Sequence, residues 1–302
     1  MTATTRGVLY PARLPRLTRL PAPGRIASLV RWFWIPEWDI APGRSSRQYV
    51  VAFPASNLVV ELDGVGLAGP TTRRSHRDLR GRGWAVGAML RPAAVPAFTD
   101  DPAALRDAYR AVGDSEPGGT GPDGGREPTA GELHRAVAEA MDAPEENDAV
   151  RHERAVDAFA AWLEARIPVV TEAGSTANAL ADLIETDPSI RRVEDAADRL
   201  GLSVRTVQRL TAAHVGLSPA AMIRRRRLQE AAERLRDDPT VSLADLAADL
   251  GYADHAHLTN DFRQVLGVTP SAYRREVARP GAGTPAQSGD GRAGDERDGG
   301  SR

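Results

Sequence analysis

One pattern occurs twice near the C-terminal end of this chain. "VEDAADRLGLSVRTVQRLTAAHVGLSP" fills 193–219 and "LADLAADLGYADHAHLTNDFRQVLGVTP" fills 243–270. The copies match at an offset of about 50 residues, which rises by one after the turn. Each copy reads as an amphipathic helix, a tight turn, a second helix, and then Gly, an apolar residue, Ser or Thr, and Pro. A chain with two such units must fold this segment as two similar small helical bodies.

The first helix of each unit carries apolar residues at i, i+3, i+4 and i+7: Val193, Ala196, Ala197 and Leu200, then Leu243, Leu246, Ala247 and Leu250. That is the stripe of a helix with one buried face. Ser242 and Asp245 have capping-box spacing. Gly201 and Gly251 follow the last stripe residue, where a chain leaving a helix often takes positive φ. Ser218-Pro219 and Thr269-Pro270 place a capping hydroxyl before a proline at the first helical position, so each starts a new helix.

The second helices carry the chemistry. In unit one, with Ser203 at its start, Val207 and Leu210 face inward and leave Arg205, Thr206, Gln208 and Arg209 outside. In unit two, Leu258 and Phe262 form the buried pair, leaving His255, His257, Thr259, Asn260 and Arg263 outside or at the turn. A helix-turn-helix places such a second helix in the major groove of DNA. Between the units, 221–236 reads as one helix with Leu228, Ala231, Ala232 and Leu235 as its stripe. Sixteen residues span about 24 Å, so with turns added the two reading helices can lie about one DNA turn apart on one face.

These residues resemble the AraC/XylS family of bacterial transcription regulators. The resemblance rests on "SVRTVQRL", "VGLSP", "RRLQEAAERL", "LADLAADLGYADHAHL" and "GVTPSAYRR", and covers roughly 172–276. It implies two helix-turn-helix subdomains joined by a helix and bound to a promoter site. It assigns DNA contacts to Arg205, Gln208 and Arg209 in one groove and to His255, Thr259 and Asn260, with Arg263 nearby, in the next. Thr211 stands where a core aromatic is common, which predicts looser packing in unit one. Asn260 stands where a basic residue is common. Asn pairs with adenine N6 and N7 whereas Arg prefers guanine, so the DNA site is not inherited from relatives.

Composition narrows the alternatives. The chain has no cysteine, which excludes disulfides, thiolate zinc sites, cysteine nucleophiles and the methyl-accepting repair relatives of this module. No apolar run approaches the 18 residues of a membrane span and no signal-peptide pattern opens the chain, so a soluble cytoplasmic protein without membrane contact is expected. All 39 basic residues are arginine, as a biased genome would give. Residues 187–276 hold 14 Arg against 13 Asp plus Glu, so placement rather than net charge must attract DNA. Four consecutive arginines, Arg224–Arg227, surround a helix. At most two can face DNA, as one or two phosphate contacts, and the others are expected in solvent or paired with acids such as Glu230.

The expected fold class is α+β: a β-rich N-terminal domain with a helical extension, then the all-α double module. The expected divisions are a β-rich sensor or dimerisation domain over 1–112 and a flexible Gly/Pro loop over 113–131. A helical extension follows over 132–170, the DNA-binding module over 172–278, and a disordered tail over 279–302. "QYVVAF", "NLVVEL", "GVGLAG", "WAVGAML" and "LVRWFWIPEW" read as strands, and "DDPAALRDAYRAVG" as a helix. Helices over 131–141 and about 147–166 follow, the second striped by Ala155, Phe159, Trp162 and Leu163. Trp32, Trp34 and Trp38 are expected in the core, with the lining of an effector pocket as the alternative.

"FPASNLVVEL" and "VGAMLRPAAVPAF…DDPAALRD" resemble the sensor-type domain that precedes some modules of this family. That resemblance implies a loosely cupin-like domain that binds a small-molecule effector, forms a homodimer, or both; a packed domain without a ligand is the plain alternative. His255-x-His257, His76, His134 and His152 make no metal signature, and Ser75-His76 makes no catalytic set, so no cofactor, metal or enzymatic activity is expected. The sequence therefore reads as a transcription regulator that binds double-stranded promoter DNA, with RNA polymerase as a further partner that the family implies. The competing reading is a protein-interaction module whose DNA-binding domain is vestigial.

Overall fold

The computed structural model describes residues 16–50, 54–72, 75–113, 127–144 and 147–278. The expected strand residues 51–53, most of the expected Gly/Pro loop and the expected tail lie outside these. Antiparallel strands form the N-terminal part: β1 Arg16–Pro21, β2 Val30–Asp39, β3 Ser46–Val50, β4 Asn57–Glu61, β5 Gly64–Ala68, β6 Ser75–Leu79, β7 Arg82–Leu90 and β8 Tyr109–Ala111. Among the described residues, six strands pair in the order β1-β2-β7-β4-β5-β8, and β3 pairs with β6. Helices follow at α1 Ala130–Met141 and α2 Asp148–Arg166. The mixed α+β class is as expected.

Strand alternation decides what the sheet buries. Phe33, Ile35, Leu58, Val60, Val86 and Ala88 share one core with Leu133, Val137, Phe159 and Leu163 of the two helices. Phe33 meets Phe159 edge-on, with ring centroids 5.4 Å apart. The tryptophans fall on alternate positions of β2 and so on the opposite face, which corrects the expectation that they fill the core. Trp34 lies across Gly87, its register partner, where an added Cβ would sit 2.0 Å from the ring. Its indole N–H donates to Asn57 Oδ1 at 3.0 Å. Trp38 covers Gly83 in the same way, and the guanidinium groups of Arg19 and Arg31 lie 5.2 and 5.5 Å from the centre of the Trp32 ring. The glycines give the rings room to lie flat on the sheet; the half-exposed indoles stand outside the helix-backed core, and Trp38 borders an open cleft with Glu37, Asp148 and Arg151.

A second expectation fails at 100–113, which is not one helix. A 3-10 turn covers Pro102–Leu105, capped by the Asp101 carboxylate, and the chain then extends into β8. The break has a local cause: Asp107 adopts φ 57, a left-handed conformation outside any helix. The carboxylate of Asp107 receives the amide of Thr72 at 2.6 Å and its hydroxyl, which holds the turn in place. The helical pattern seen in the sequence is overridden by pairing of Tyr109–Ala111 with β5. Strands β1 and β6, and a 3-10 turn over Pro92–Ala97, had no clear sequence signal.

The C-terminal part is helical: α3 Glu172–Thr186, α4 Val193–Leu200, α5 Val204–His214, α6 Pro219–Asp237, α7 Leu243–Asp249, α8 His255–Leu266 and α9 Pro270–Val277. Gly201, Gly216, Gly251 and Gly267 take φ of 63°, 78°, 73° and 74°, the left-handed exits that the repeat required. Ser218 and Thr269 cap as anticipated, each accepting an amide at 3.2 Å. Two separate cores result. Unit one packs Leu180, Ile184, Ala197, Val207, Leu210 and Met222 without any aromatic ring. Unit two packs Leu228, Leu246, Tyr252, Leu258, Phe262 and Tyr273. Thr211 is buried, and its hydroxyl donates back to the Gln208 carbonyl at 3.1 Å, so the missing aromatic leaves no orphaned polar group.

Unit one is braced by the N-terminal part. Asn178 of α3 accepts the Ala93 amide at 2.9 Å and donates to the Ser28 carbonyl at 2.8 Å. Arg31 and Arg91 pair with Glu185 and Asp182 of the same helix. The end of α5 docks beside the 92–97 turn, where the His214 ring meets the Pro92 carbonyl at 3.2 Å. A Cβ at Gly216 would lie 2.1 Å from the Pro102 carbonyl oxygen, so glycine is what lets the two backbones touch.

Candidate nucleic-acid interface

The second helix of each unit is fixed from below and open above. In α5, Val207 is 0% exposed and Leu210 7%, and both sit in the unit-one core. Arg205, Gln208 and Arg209 are exposed. Ser203 and Thr206 play a different part: Ser203 accepts the Thr206 amide at 3.1 Å, and the two hydroxyls are 2.9 Å apart. They cap the first turn of the helix.

In α8, Leu258 and Phe262 are both 0% exposed. His255, His257, Asn260 and Arg263 are exposed, and Thr259 is half-buried. The helix is capped by Asp254, whose carboxylate accepts the His257 amide at 2.7 Å. The His257 ring stands edge-on to Tyr252 at 5.2 Å. No group of three or more His, Asp or Glu residues among the described residues could hold a metal ion. No helix of the described residues is long and apolar enough to cross a membrane.

Each arginine of the run has a partner within the chain, where one or two phosphate contacts, with the others in solvent or paired with acids such as Glu230, were expected. Arg224 forks onto Asp261 of α8, with Nε and Nη2 at 2.8 and 2.6 Å from its two oxygens. Arg225 is buried and reaches the N-terminal part, donating to the Thr71 carbonyl. Burial pushes its pKa down to about 10, with the Asp107 charge opposing. Arg226 donates to the Ile190 carbonyl at 3.0 Å and pairs with Glu230 at 3.2 Å. The Arg227 guanidinium lies 3.8 Å from the centre of the Tyr252 ring. Successive helical residues point about 100° apart, so four in a row address four bodies: the second reading helix, the N-terminal part, the entry to unit one and the turn of unit two. Pairing with Glu230 was legible in the sequence; the other partners lie far away along the chain and were not.

The two units are also joined directly. Arg191, just before α4, donates to the Asp249 carbonyl at the end of α7 at 3.1 Å. Asp249 in turn pairs with Arg234 of α6 at 2.6 Å.

A helix-turn-helix domain model matches residues 196–276. A putative AraC-like transcription regulator of Streptomyces lividans is 33% identical over 129 residues, covering 42% of this chain and 40% of the relative. The C-terminal module is an AraC-type helix-turn-helix domain. The AraC-type match extends to the transcriptional activator RhaS of Escherichia fergusonii, 37% identical over 82 residues, 27% of this chain and 29% of that protein. It also extends to the transcriptional activator NphR of a Rhodococcus species, 37% identical over 90 residues, 30% of this chain and 26% of that protein. The matched stretches thus span 40% or less of these relatives' own lengths. Residues 18–109 match a domain of unknown function, DUF6597. Among solved structures, ToxT of Vibrio cholerae O395 aligns over 87% of this chain and 96% of its own, at 10% identity and a TM-score of 0.39.

With the arginine run consumed internally, the exposed cations on the reading helices of the AraC-type module are Arg205, Arg209 and Arg263. Binding to DNA of arbitrary sequence should therefore release few counterions. About three phosphate contacts give a slope of roughly −3 in log K against log salt. A titration by fluorescence anisotropy between low and moderate salt measures it; a slope near −9 would mean that a far larger basic surface engages.

Proposed function

We propose that this chain is a sequence-specific DNA-binding transcription regulator that reads two successive major grooves. One observation above all supports the reading: both second helices bury their apolar face and carry exposed polar side chains on the other, Arg205, Gln208 and Arg209 on α5 and His255, Asn260 and Arg263 on α8. Residues 172–278 are the DNA-reading part, and the sheet with α1 and α2 is its sensor or dimerisation part. Arg205, Gln208 and Arg209 read one groove, with Ser203 and Thr206 at the helix entry. His255, Thr259 and Asn260 read the next, with His257 and Arg263 beside them. A small-molecule effector, a homodimer and contact with RNA polymerase are the further partners that this reading brings.

Selection of bound sites from random duplex DNA tests it directly, because a regulator of this kind enriches a bipartite site. On that site, Arg209→Ala should cost about 1–3 kcal/mol and relax preference at one base pair. Equal losses on all sequences would make Arg209 a phosphate contact, and no enrichment at all would remove the proposal.

A further inference from the structure

We infer that Arg224 is a positioning residue for DNA readout: it sets the roll of the second reading helix, and through it the base preference of one half of the site. The inference rests on the DNA-reading function proposed above. The apolar packing of that helix contributes no hydrogen bond that would fix the roll. The buried face of α8 is Leu258, Phe262, Val265 and Leu266, all apolar, and apolar contact has no preferred direction. A roll of about 20° at a side-chain radius of about 5–6 Å moves a contacting tip by about 2 Å, more than half of the 3.4 Å between base pairs.

The directional element is the fork between Arg224 and Asp261. Both guanidinium–carboxylate contacts are short, at 2.8 and 2.6 Å, and Arg224 Nη2 reaches Gln264 Oε1 at 2.6 Å as well. A planar bidentate pair fixes orientation as well as distance. Arg224 is anchored on α6, and Asp261 lies one residue, about 100° around the helix, from the exposed Asn260, so the fork ties the flank of α8 beside its reading face to the connecting helix. The first reading helix is held differently. Its end rests on the 92–97 turn through His214 and on Pro102 through Gly216. Loss of the Arg224 fork should therefore disturb one half-site and spare the other.

The test is site selection from random DNA with the full chain, comparing the wild type with Arg224→Gln, Asp261→Asn, the double variant and Arg224→Lys, alongside thermal melts. Discrimination at the half-site read by α8 should fall about tenfold in each single variant. The double variant should be no worse than either single, because one fork is lost only once. Arg224→Lys keeps the charge but not the planar fork, so it should melt like the wild type and still lose discrimination. Preference at the other half-site should be unchanged throughout. Uniform loss across both half-sites, additive losses, or an unaltered base profile in Arg224→Lys would overturn the inference while leaving the proposed function standing. A wild type that enriches no site would overturn both.

Discussion

Replacing Gly216 with alanine should cost about 2–5 kcal/mol of folding stability, against about 1–2 kcal/mol for the same change at Gly201. Both glycines hold a left-handed conformation, at φ 78° and 63°, so both changes carry the penalty that an L side chain meets there. Their surroundings differ. Nothing lies within 4 Å of a Cβ built on Gly201, whereas one on Gly216 would stand 2.1 Å from the Pro102 carbonyl oxygen and 2.9 Å from the Ala103 nitrogen. Backbone has to retreat, and the two parts of the chain have to separate there. Denaturant unfolding of both variants measures the difference. Equal losses would mean that the 102–105 turn is not seated on unit one in solution.

Truncating Phe262 to alanine should cost about 3–5 kcal/mol, the range for removing a fully buried aromatic side chain. Phe262 is 0% exposed and packs against Tyr273 with ring centroids 5.8 Å apart. Its core is separate from that of unit one, so the damage should stay local. Native-state hydrogen exchange should show the amides of α7, α8 and α9 losing protection while those of α4 and α5 keep theirs. Equal acceleration in both units would show that the module unfolds as one cooperative body, with the ties through Arg191 and Arg226 outweighing the division of its cores.

The repeat made the C-terminal part legible in detail. Glycine exits, Ser and Thr caps before proline, and the inward Val207, Leu210, Leu258 and Phe262 are all set by local rules, and local rules can be read from one sequence. What escaped depended on partners far away in the chain. The helical look of 100–113 gave way to β pairing with Gly66 through Ala68, and nothing within that segment announces it. Trp32 and Trp34 alternate as strand residues should, but only the glycines opposite them on β7 decide that they lie on the outer face. The arginine run was the hardest to read. Four identical side chains give no clue to Asp261, Thr71, Ile190 and Tyr252, which lie on four different segments. Of the residues expected to face outward on those helices, Arg205, Gln208, Arg209, His255, His257, Asn260 and Arg263 are exposed, and Thr206 and Thr259 are half-buried.

The brace between unit one and the 92–97 and 102–105 turns gives the module a lopsided dependence. Unit two stands on its own aromatic core, whereas unit one relies on a neighbour for part of its support. On the proposed two-groove reading, a shift of those turns would loosen the grip on one groove and leave the other intact. Such a shift would then leave the chain tethered to the duplex by half its footprint, rather than set free into solution.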